Sequence, residues 1–393
     1  MPFPEEIAAA TPGMIALRRD IHANPEIEFR ERRTAAIIAE RLTAAGLTVE
    51  EGVGQTGVVG TLQGGSDGPT LMIRADIDAL PMAEQTGLQF ASSVDAMHAC
   101  GHDSHIAMAI TAAELLARHR SELNGSVIFA FQPAEENNVG AQAMADDGFF
   151  DRYRADRVIA LHIGAGDPTG TVTASSGPTM AGKDTFRLTI TGSGGHGAMP
   201  HLSVDPVVIA AHVVTALQTL VSRETPPNEM AVVTIGEIHA GTAGNIIPAT
   251  AVMSGAIRWN NVETQKTLLD GLIRTAKGVA QAMRADAEYE WLSGTPPCVN
   301  DAEVTDWMKG VAADVVGEDR VSGMEPRTAS DDMSLFLHAM PGCYFGLGAA
   351  IEGKPEAHAH HSPTFDIDEA AFPVGVELFM GAALDYLGRN SGA

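Results

Sequence analysis

Cysteine is scarce in this 393-residue chain, which holds only Cys100, Cys298 and Cys343. Three thiols so far apart form no disulfide framework and suit a reducing compartment. Cationic side chains are scarce too, 25 Lys and Arg against 50 Asp and Glu, for a formal charge of −25. Affinity for nucleic acid depends on Lys and Arg neutralising phosphates, so DNA, RNA and acidic membranes are not expected partners. The charge speaks mainly to solubility. No apolar run reaches the roughly eighteen residues of a membrane span. The opening residues carry Pro2, Pro4, Glu5, Glu6 and Pro12 where a secretory signal would be basic and then apolar. A cytoplasmic protein is therefore expected.

What is present is enough apolar sequence, 45% of the residues, to bury more than one core. Two helical patterns, Gly13 to His22 and Arg32 to Ala45, are divided by Asn24-Pro25, and Gly46 stands where a helix C-cap belongs. Short apolar runs then alternate with helical stretches: Thr70 to Ala75, Ser104 to His119, Ser126 to Gln132, Val158 to Ile163 and Gly342 to Gly348. That alternation predicts an α/β fold, a mostly parallel sheet covered by helices on both faces. Between Lys183 and Gly294 the pattern becomes strand, helix, two strands, helix, strand, the order of an inserted ferredoxin-like α+β domain. The expected catalytic domain is therefore discontinuous, 1–181 and 295–393, around an insert at 182–294.

Ligands of open parallel sheets bind beyond the carboxyl ends of the strands. Five segments sit there: Arg74-Ala75-Asp76-Ile77-Asp78, His98-Ala99-Cys100-Gly101-His102-Asp103, Gln132-Pro133-Ala134-Glu135-Glu136, His162, and His358-Ala359-His360-His361-Ser362-Pro363. Singly, a histidine or a free cysteine is more often structural than a ligand. Packing alone gives no reason for five strand ends to deliver Cys, His, Glu and Asp to one crevice, where apolar residues would be favoured. A mixed sulfur, nitrogen and oxygen donor set suits zinc, manganese, cobalt or nickel and argues against an oxygen cage for calcium or magnesium. Residue types alone do not rank Glu135 above Glu136 as base or ligand. Cys100 as a nucleophile is disfavoured, since no motif supplies it with a histidine and an orienting partner.

These segments, with Gly192 to His201, resemble the signature stretches of the M20 metallopeptidase family. The resemblance is greatest to the branch of hippurate hydrolases, N-acyl-amino-acid amidohydrolases and indoleacetyl-amino-acid hydrolases, and it runs from Leu17 to the final helix. It implies two divalent ions, manganese or zinc with cobalt or nickel as alternatives. Cys100 would bridge them, with His102 and His162 on one ion and Glu136 and His361 on the other. Glu135 would be the general base and Asp78 would orient a ligand. The implied reaction is hydrolysis of the amide of an N-acyl amino acid, or a similar small carboxylate-bearing amide, through a metal-activated water. Asp76 stands where the wider family has a histidine ligand, which leaves its role open, and His360 rivals His361.

In the insert, Gly192-Ser193-Gly194-Gly195-His196-Gly197 spells a dinucleotide fingerprint, but Met199-Pro200-His201 intervene before any helix. The resemblance instead gives His196 the oxyanion of a partner subunit's site, and gives Asn245 and Arg258 the substrate's carbonyl or carboxylate. An Arg fork fits a carboxylate bidentately. A homodimer through this domain is implied. Two alternatives are a dipeptidase of the same fold and a non-catalytic metal-binding protein. Retention of Glu135 beside Glu136 speaks against the second, because ligation alone does not need both.

Overall fold

The computed structural model describes residues 3–353 and 359–388, and His358 of the last candidate segment lies outside them. Contacts divide the chain into two compact units. One holds residues 1–179, 298–325 and 331–393; the other holds 180–297 and 326–330.

The first unit opens with helices α1 (Pro4–Ala23) and α2 (Arg32–Ala44). Sequence reading starts α1 at Gly13, because Pro12 withholds an N–H and crowds the preceding turn. The structure carries the helix through Pro12 to Pro4. Ile7, Met14, Leu17 and Ile21 share one fully buried face, so burial of Ile7 holds the turns that local propensity disfavours. Helix α2 ends as expected: Gly46 takes φ 81°, and the N–H groups of Gly46 and Leu47 return to Thr43 and Leu42.

Strands β1 (Thr48–Val53), β2 (Gly57–Gln63) and β3 (Ser66–Asp76) precede the central helix α3 (His102–Arg118), followed by β4 (Asn124–Gln132), α4 (Gly140–Asp146), β5 (Arg157–Pro168) and β6 (Val172–Thr173). The inserted unit supplies β7 (Gly182–Thr191), α5 (Pro206–Thr219), β8 (Ala231–Ala240), β9 (Thr250–Trp259), α6 (Val262–Ala282) and β10 (Asp286–Thr295). The chain returns with α7 (Ala302–Val316), β11 (Val321–Ser322), α8 (Met333–Ala339), β12 (Gly342–Ala350) and α9 (Phe372–Leu387).

The large sheet runs β1-β2-β4-β3-β5-β12-β6-β11. Its centre, β4-β3-β5-β12, is parallel, in keeping with the fold class read from the sequence. The β1–β2 hairpin, absent from that reading, adds an antiparallel edge. Parallel strands buried on both faces read as continuous apolar runs, and Val127 to Phe131, Val158 to Leu161 and Cys343 to Leu347 are all buried. Helix α3 is buried along almost its whole length, from His102 to Ala117. Its first turn is therefore fixed by the core itself.

In the inserted unit, β8-β9-β7-β10 form a wholly antiparallel sheet with α5 and α6 packed on it, the ferredoxin-like order. Residues 326–330 join this unit because Ala181 donates to the carbonyls of Arg327 and Ala329, a pairing between segments with no sequence signal. Two stretches, Pro206–Glu224 and Glu369–Leu387, are long and apolar enough by composition to cross a membrane. The first turns Ile209, Val213 and Leu217 onto its own sheet, and the second buries Phe372, Val376, Phe379 and Ala383 in the core of the first unit. Replacing Ile7 with Ala should cost about 2–5 kcal/mol through the cavity left behind. Thermal unfolding and limited proteolysis before Pro12 would register it; an unchanged melting point would mean the early turns of α1 do not need this contact.

Candidate metal centre

The carboxyl edge of the first unit's sheet collects the side chains. Cys100 and Gly101 lead into α3, whose first residue is His102; Glu135 and Glu136 follow β4; His162 lies on β5; and His361 lies in the loop after β12. Two local features aim these donors. Gly101 takes φ 92°, and a Cβ there would lie 2.4 Å from Cγ2 of Ile163, so only glycine lets the Cys100–His102 turn pass. His361 adopts φ 62°, rare for a side-chain-bearing residue, and its N–H is tied to the carbonyl of Ala99 at 2.9 Å.

Donor atoms of Cys100, His102 and His162 all lie within 4.8 Å of one another, and so do those of Cys100, Glu136 and His361. Cys100 is common to both groups. Its Sγ is 3.4 Å from Nε2 of His162, and Nε2 of His361 is 3.2 Å from Oε2 of Glu136. The other ring nitrogens fix which lone pairs face inward. His162 donates Nδ1–H to the carbonyl of Ile163 at 2.8 Å, and His102 donates Nδ1–H to the carbonyl of Asp78 at 2.9 Å. With Nδ1 engaged, each ring presents Nε2, the atom through which a neutral imidazole binds a cation. Orientation of His102 thus comes chiefly from the main chain of Asp78, whose carboxylate stands 3.5 Å away and accepts the N–H of Glu136 at 3.0 Å.

A divalent cation fits this set. Nε2 of His102 and Oε1 of Glu136, 3.9 Å apart, are buried and have no hydrogen-bond partner among the described residues. Buried polar atoms are rarely left so, and these two point into one space. Burial, reinforced by Glu136, pushes the Cys100 thiol up to about 12. Burial, with His105 and His360 alongside, holds His162 well below the ordinary imidazole value and therefore neutral. Burial disfavours a charge on His102, but Asp76, Asp78 and Cys100 outweigh it and raise its pKa; the hydrogen bond to Glu136 raises that of His361.

The two open questions take definite geometry. Both oxygens of Asp76 are engaged, by Nη1 of Arg74 at 2.7 Å and Nδ1 of His105 at 2.6 Å, while Nε2 of His102 is 3.7 Å away. An Asp76 oxygen also lies within 4.8 Å of donor atoms of His102 and His105. His105 in turn accepts the N–H of Ile163 at 3.0 Å, coupling α3 to the strand that carries His162. His360 accepts the N–H of Ala165 at 3.4 Å and packs its ring 5.2 Å from that of His162; His361 is the one within reach of Glu136.

Beneath Glu135 lies a charged layer that sequence reading left without a role. Buried Arg74 binds Gln132 and Asp76 and reaches Asp331 and Asp332, and Asp331 also accepts the Tyr344 hydroxyl at 2.6 Å. Oxygens of Glu135, Asp331 and Asp332 lie within 4.8 Å of one another. Burial, then Asp331, Asp332 and Glu136, raise the Glu135 pKa well above the carboxylate range. An arginine amid Leu71-Met72-Ile73 was the one available signal, since a buried charge requires partners.

His196, Asn245 and Arg258 belong to the inserted unit. Gly195–His196 pairs antiparallel with Ile246–Ile247, and the carbonyl of Asn245 accepts the N–H of Gly197 at 2.8 Å, so the first two sit on adjoining turns. The glycine-rich loop enters this short ribbon and then a 3-10 turn, not a helix, which disposes of the dinucleotide reading. Arg258 donates Nη1–H to the carbonyl of Thr328 at 2.7 Å, leaving part of its fork for other acceptors.

Known proteins resemble the chain over most of its length. The description Peptidase family M20/M25/M40 matches residues 72–385. The chain is 37% identical over 374 residues to an N-acetylcysteine deacetylase of Bacillus subtilis, covering 94% of this chain and 96% of the relative. It is 36% identical over 367 residues to thermostable carboxypeptidase 2 of Saccharolobus solfataricus, covering 92% of each. Among solved structures, a dinuclear metal-binding peptidase of the M20 family from Bacillus subtilis superposes with a TM-score of 0.83 at 33% identity, covering 97% of this chain and 99% of that one.

Gly101→Ala tests the geometry of the turn. The left-handed backbone alone penalises a Cβ by about 1–2 kcal/mol, and the clash with Ile163 adds to it. The variant should lose affinity for zinc or manganese in a chelator competition, and unchanged affinity would show that the donors tolerate a displaced turn.

Proposed function

The chain belongs to peptidase family M20/M25/M40 and is a hydrolase of amide bonds, and on that premise we propose that it is a metal-dependent amidohydrolase acting on N-acyl amino acids or similar small carboxylate-bearing amides. The observation that carries this reading is the sharing of Cys100 between two donor groups with Glu135 beside them. We assign His102 and His162 to one cation and Glu136 and His361 to the other, with Cys100 common to both. The solved dinuclear relative supports two ions, and the donor types favour manganese or zinc, then cobalt or nickel. Two such cations, when bound, lower the pKa of water from 15.7 toward about 7 and polarise a carbonyl.

The chain's own residues supply the rest. Glu135 takes a proton from the attacking water as the water oxygen bonds to the carbonyl carbon. It returns that proton to the nitrogen as the C–N bond breaks, so the acid and the amine leave with atoms balanced. Asp78 keeps the Nε2 lone pair of His102 facing inward. We give His196 the oxyanion in a partner subunit's site and Asn245 and Arg258 the substrate's carbonyl or carboxylate, the role for which a guanidinium fork is shaped. Homodimerisation through the inserted unit is supported by Val207 and Val208 on α5 and Ile238 on edge strand β8, which are about half exposed. Three buried free thiols, one of them a proposed ligand, suit the cytoplasm.

The carboxypeptidase relative favours a second reading, hydrolysis of short peptides by the same site. Assays of hippurate-like amides and of dipeptides, each with added manganese or zinc, separate the two, and turnover of neither with metal bound would support a binding protein. Glu135→Gln should retain two ions per chain by atomic emission and lose about 10²–10⁴-fold in kcat. Substantial remaining turnover would remove Glu135 from its role.

A further inference from the structure

Glu135 and Glu136 ride on a single loop, Pro133 to Gly140, between β4 and α4. The loop is bent hard. Ala134 and Asn138 take φ 47° and 55°, in the left-handed region that side-chain-bearing residues avoid, and a Cβ at Gly140 would lie 1.6 Å from the carbonyl oxygen of Pro133. Such a conformation persists only where the surroundings over-determine it. The loop's internal bonds run from the N–H of Asn138 to Glu135 and from that of Gly140 to Ala134.

Two carboxylates from outside the loop accept its main-chain N–H groups, and a third bonds the residues on either side of it. Asp78 accepts the N–H of Glu136, as described above. Glu31 accepts the N–H of Ala134 at 3.1 Å, and Asp332 accepts that of Ala141 at 2.9 Å while its other oxygen receives Nε2 of Gln132 at 2.5 Å. Asp332 therefore joins the last residue of β4 to the first turn of α4, on either side of the loop. Both Glu31 and Asp332 are fully buried.

Glu31 is the N-cap residue of α2 and Asp332 that of α8, and neither side chain makes a cap bond to its own helix. Glu31 turns instead to Phe29, Ala134 and the Thr56 hydroxyl at 2.6 Å, and Asp332 caps α4, whose own N-cap residue Val139 offers no acceptor. Other acids take those helix starts: Glu26 accepts the N–H groups of Arg33 and Thr34, and Asp331 accepts that of Met333 at 2.7 Å, which leaves Glu31 for the loop and Asp332 for the residues on either side of it.

We infer that Glu31 and Asp332 are positioning residues that clasp the two ends of the Pro133–Gly140 loop and so set where Glu135 and Glu136 stand. This rests on the reading of Glu135 as the base. Loss of a clasp lets Ala134 relax to an ordinary backbone angle, which swings the carboxylate that follows it. Binding of substrate by the inserted unit is untouched, so kcat falls and KM does not.

The experiment uses the full-length, metal-loaded protein with Glu31→Gln, Glu31→Ala, Asp332→Asn and Glu135→Gln. Glu31→Ala and Asp332→Asn should lower kcat by about 10–100-fold, the usual cost of removing an orienting partner, with KM within about threefold of the parent. Glu31→Gln keeps a carbonyl oxygen for Ala134 and should recover most of the loss. Hydrogen exchange should quicken across residues 133–141 and stay unchanged in α3 and β5. Parental kcat with unchanged exchange in that loop overturns the clasp, and so does faster exchange spread evenly over the chain, which marks general destabilisation. An active Glu135→Gln protein would instead sink the assignment of the base, while loop exchange in the other variants would still decide the clasp. Should Glu31→Ala not fold, kcat and loop exchange in Asp332→Asn carry the test.

Discussion

One thiol shared by two groups of donors is the constraint on which this structure depends. Cys100 must sit within reach of His102 and His162 on one side and of Glu136 and His361 on the other. Those five residues come from the start of α3, the loop after β4, the body of β5 and the loop after β12, elements that only a sheet with parallel neighbours brings to one edge. Carrying lone pairs and carboxylates into a buried space is unfavourable unless positive charge meets them there. The donors therefore call for cations, and the rest of the unit is arranged to hold the donors still until cations arrive.

Rigidity comes from below the site. Helix α3 is surrounded by core, so the turn that carries Cys100 and His102 inherits the fixity of the hydrophobic interior. Gly101 permits the turn and Ile163 limits it. Asp76, Arg74 and His105 link β3, α3 and β5 through short hydrogen bonds, so that a shift in one strand end would be felt by the others. Arg74 faces Asp76, Asp331 and Asp332 together, with Glu135 close by. Burial, with Asp331, Asp332 and Glu136 nearby, holds the Glu135 pKa above the carboxylate range.

The inserted unit obeys separate physics. Its core of Phe186, Leu188, Val213, Leu217, Met253 and Leu272 is its own, and its antiparallel order needs nothing from the large sheet. His196 and Asn245 lie on turns that are stitched by two backbone pairs, which gives an exposed histidine a defined neighbour rather than free solvent. Residues 326–330 cross into this unit from the far side of the chain, and there the carbonyl of Thr328 occupies part of the Arg258 fork.

The sequence by itself determined the fold class and set out five segments rich in metal-binding residue types. Apolar runs report buried parallel strands, and metal-binding residue types just beyond them report a crevice. Local signals end where side chains choose partners. Pro12 argued for a helix start that burial of Ile7 overrides, and the short Thr48–Gln63 hairpin had no run long enough to announce itself. Adjacent Glu135 and Glu136 were interchangeable on paper; the tertiary structure separates them, one beside Asp331 and Asp332 and the other against His361. Asp76, His360, Glu31 and Asp332 were likewise decided by three-dimensional neighbours up to some two hundred residues away in the chain, such as Gln132 and Asp332. Hydrophobic periodicity is a property of neighbours in sequence, whereas the direction of a buried carboxylate depends on which N–H groups the finished fold leaves unpaired.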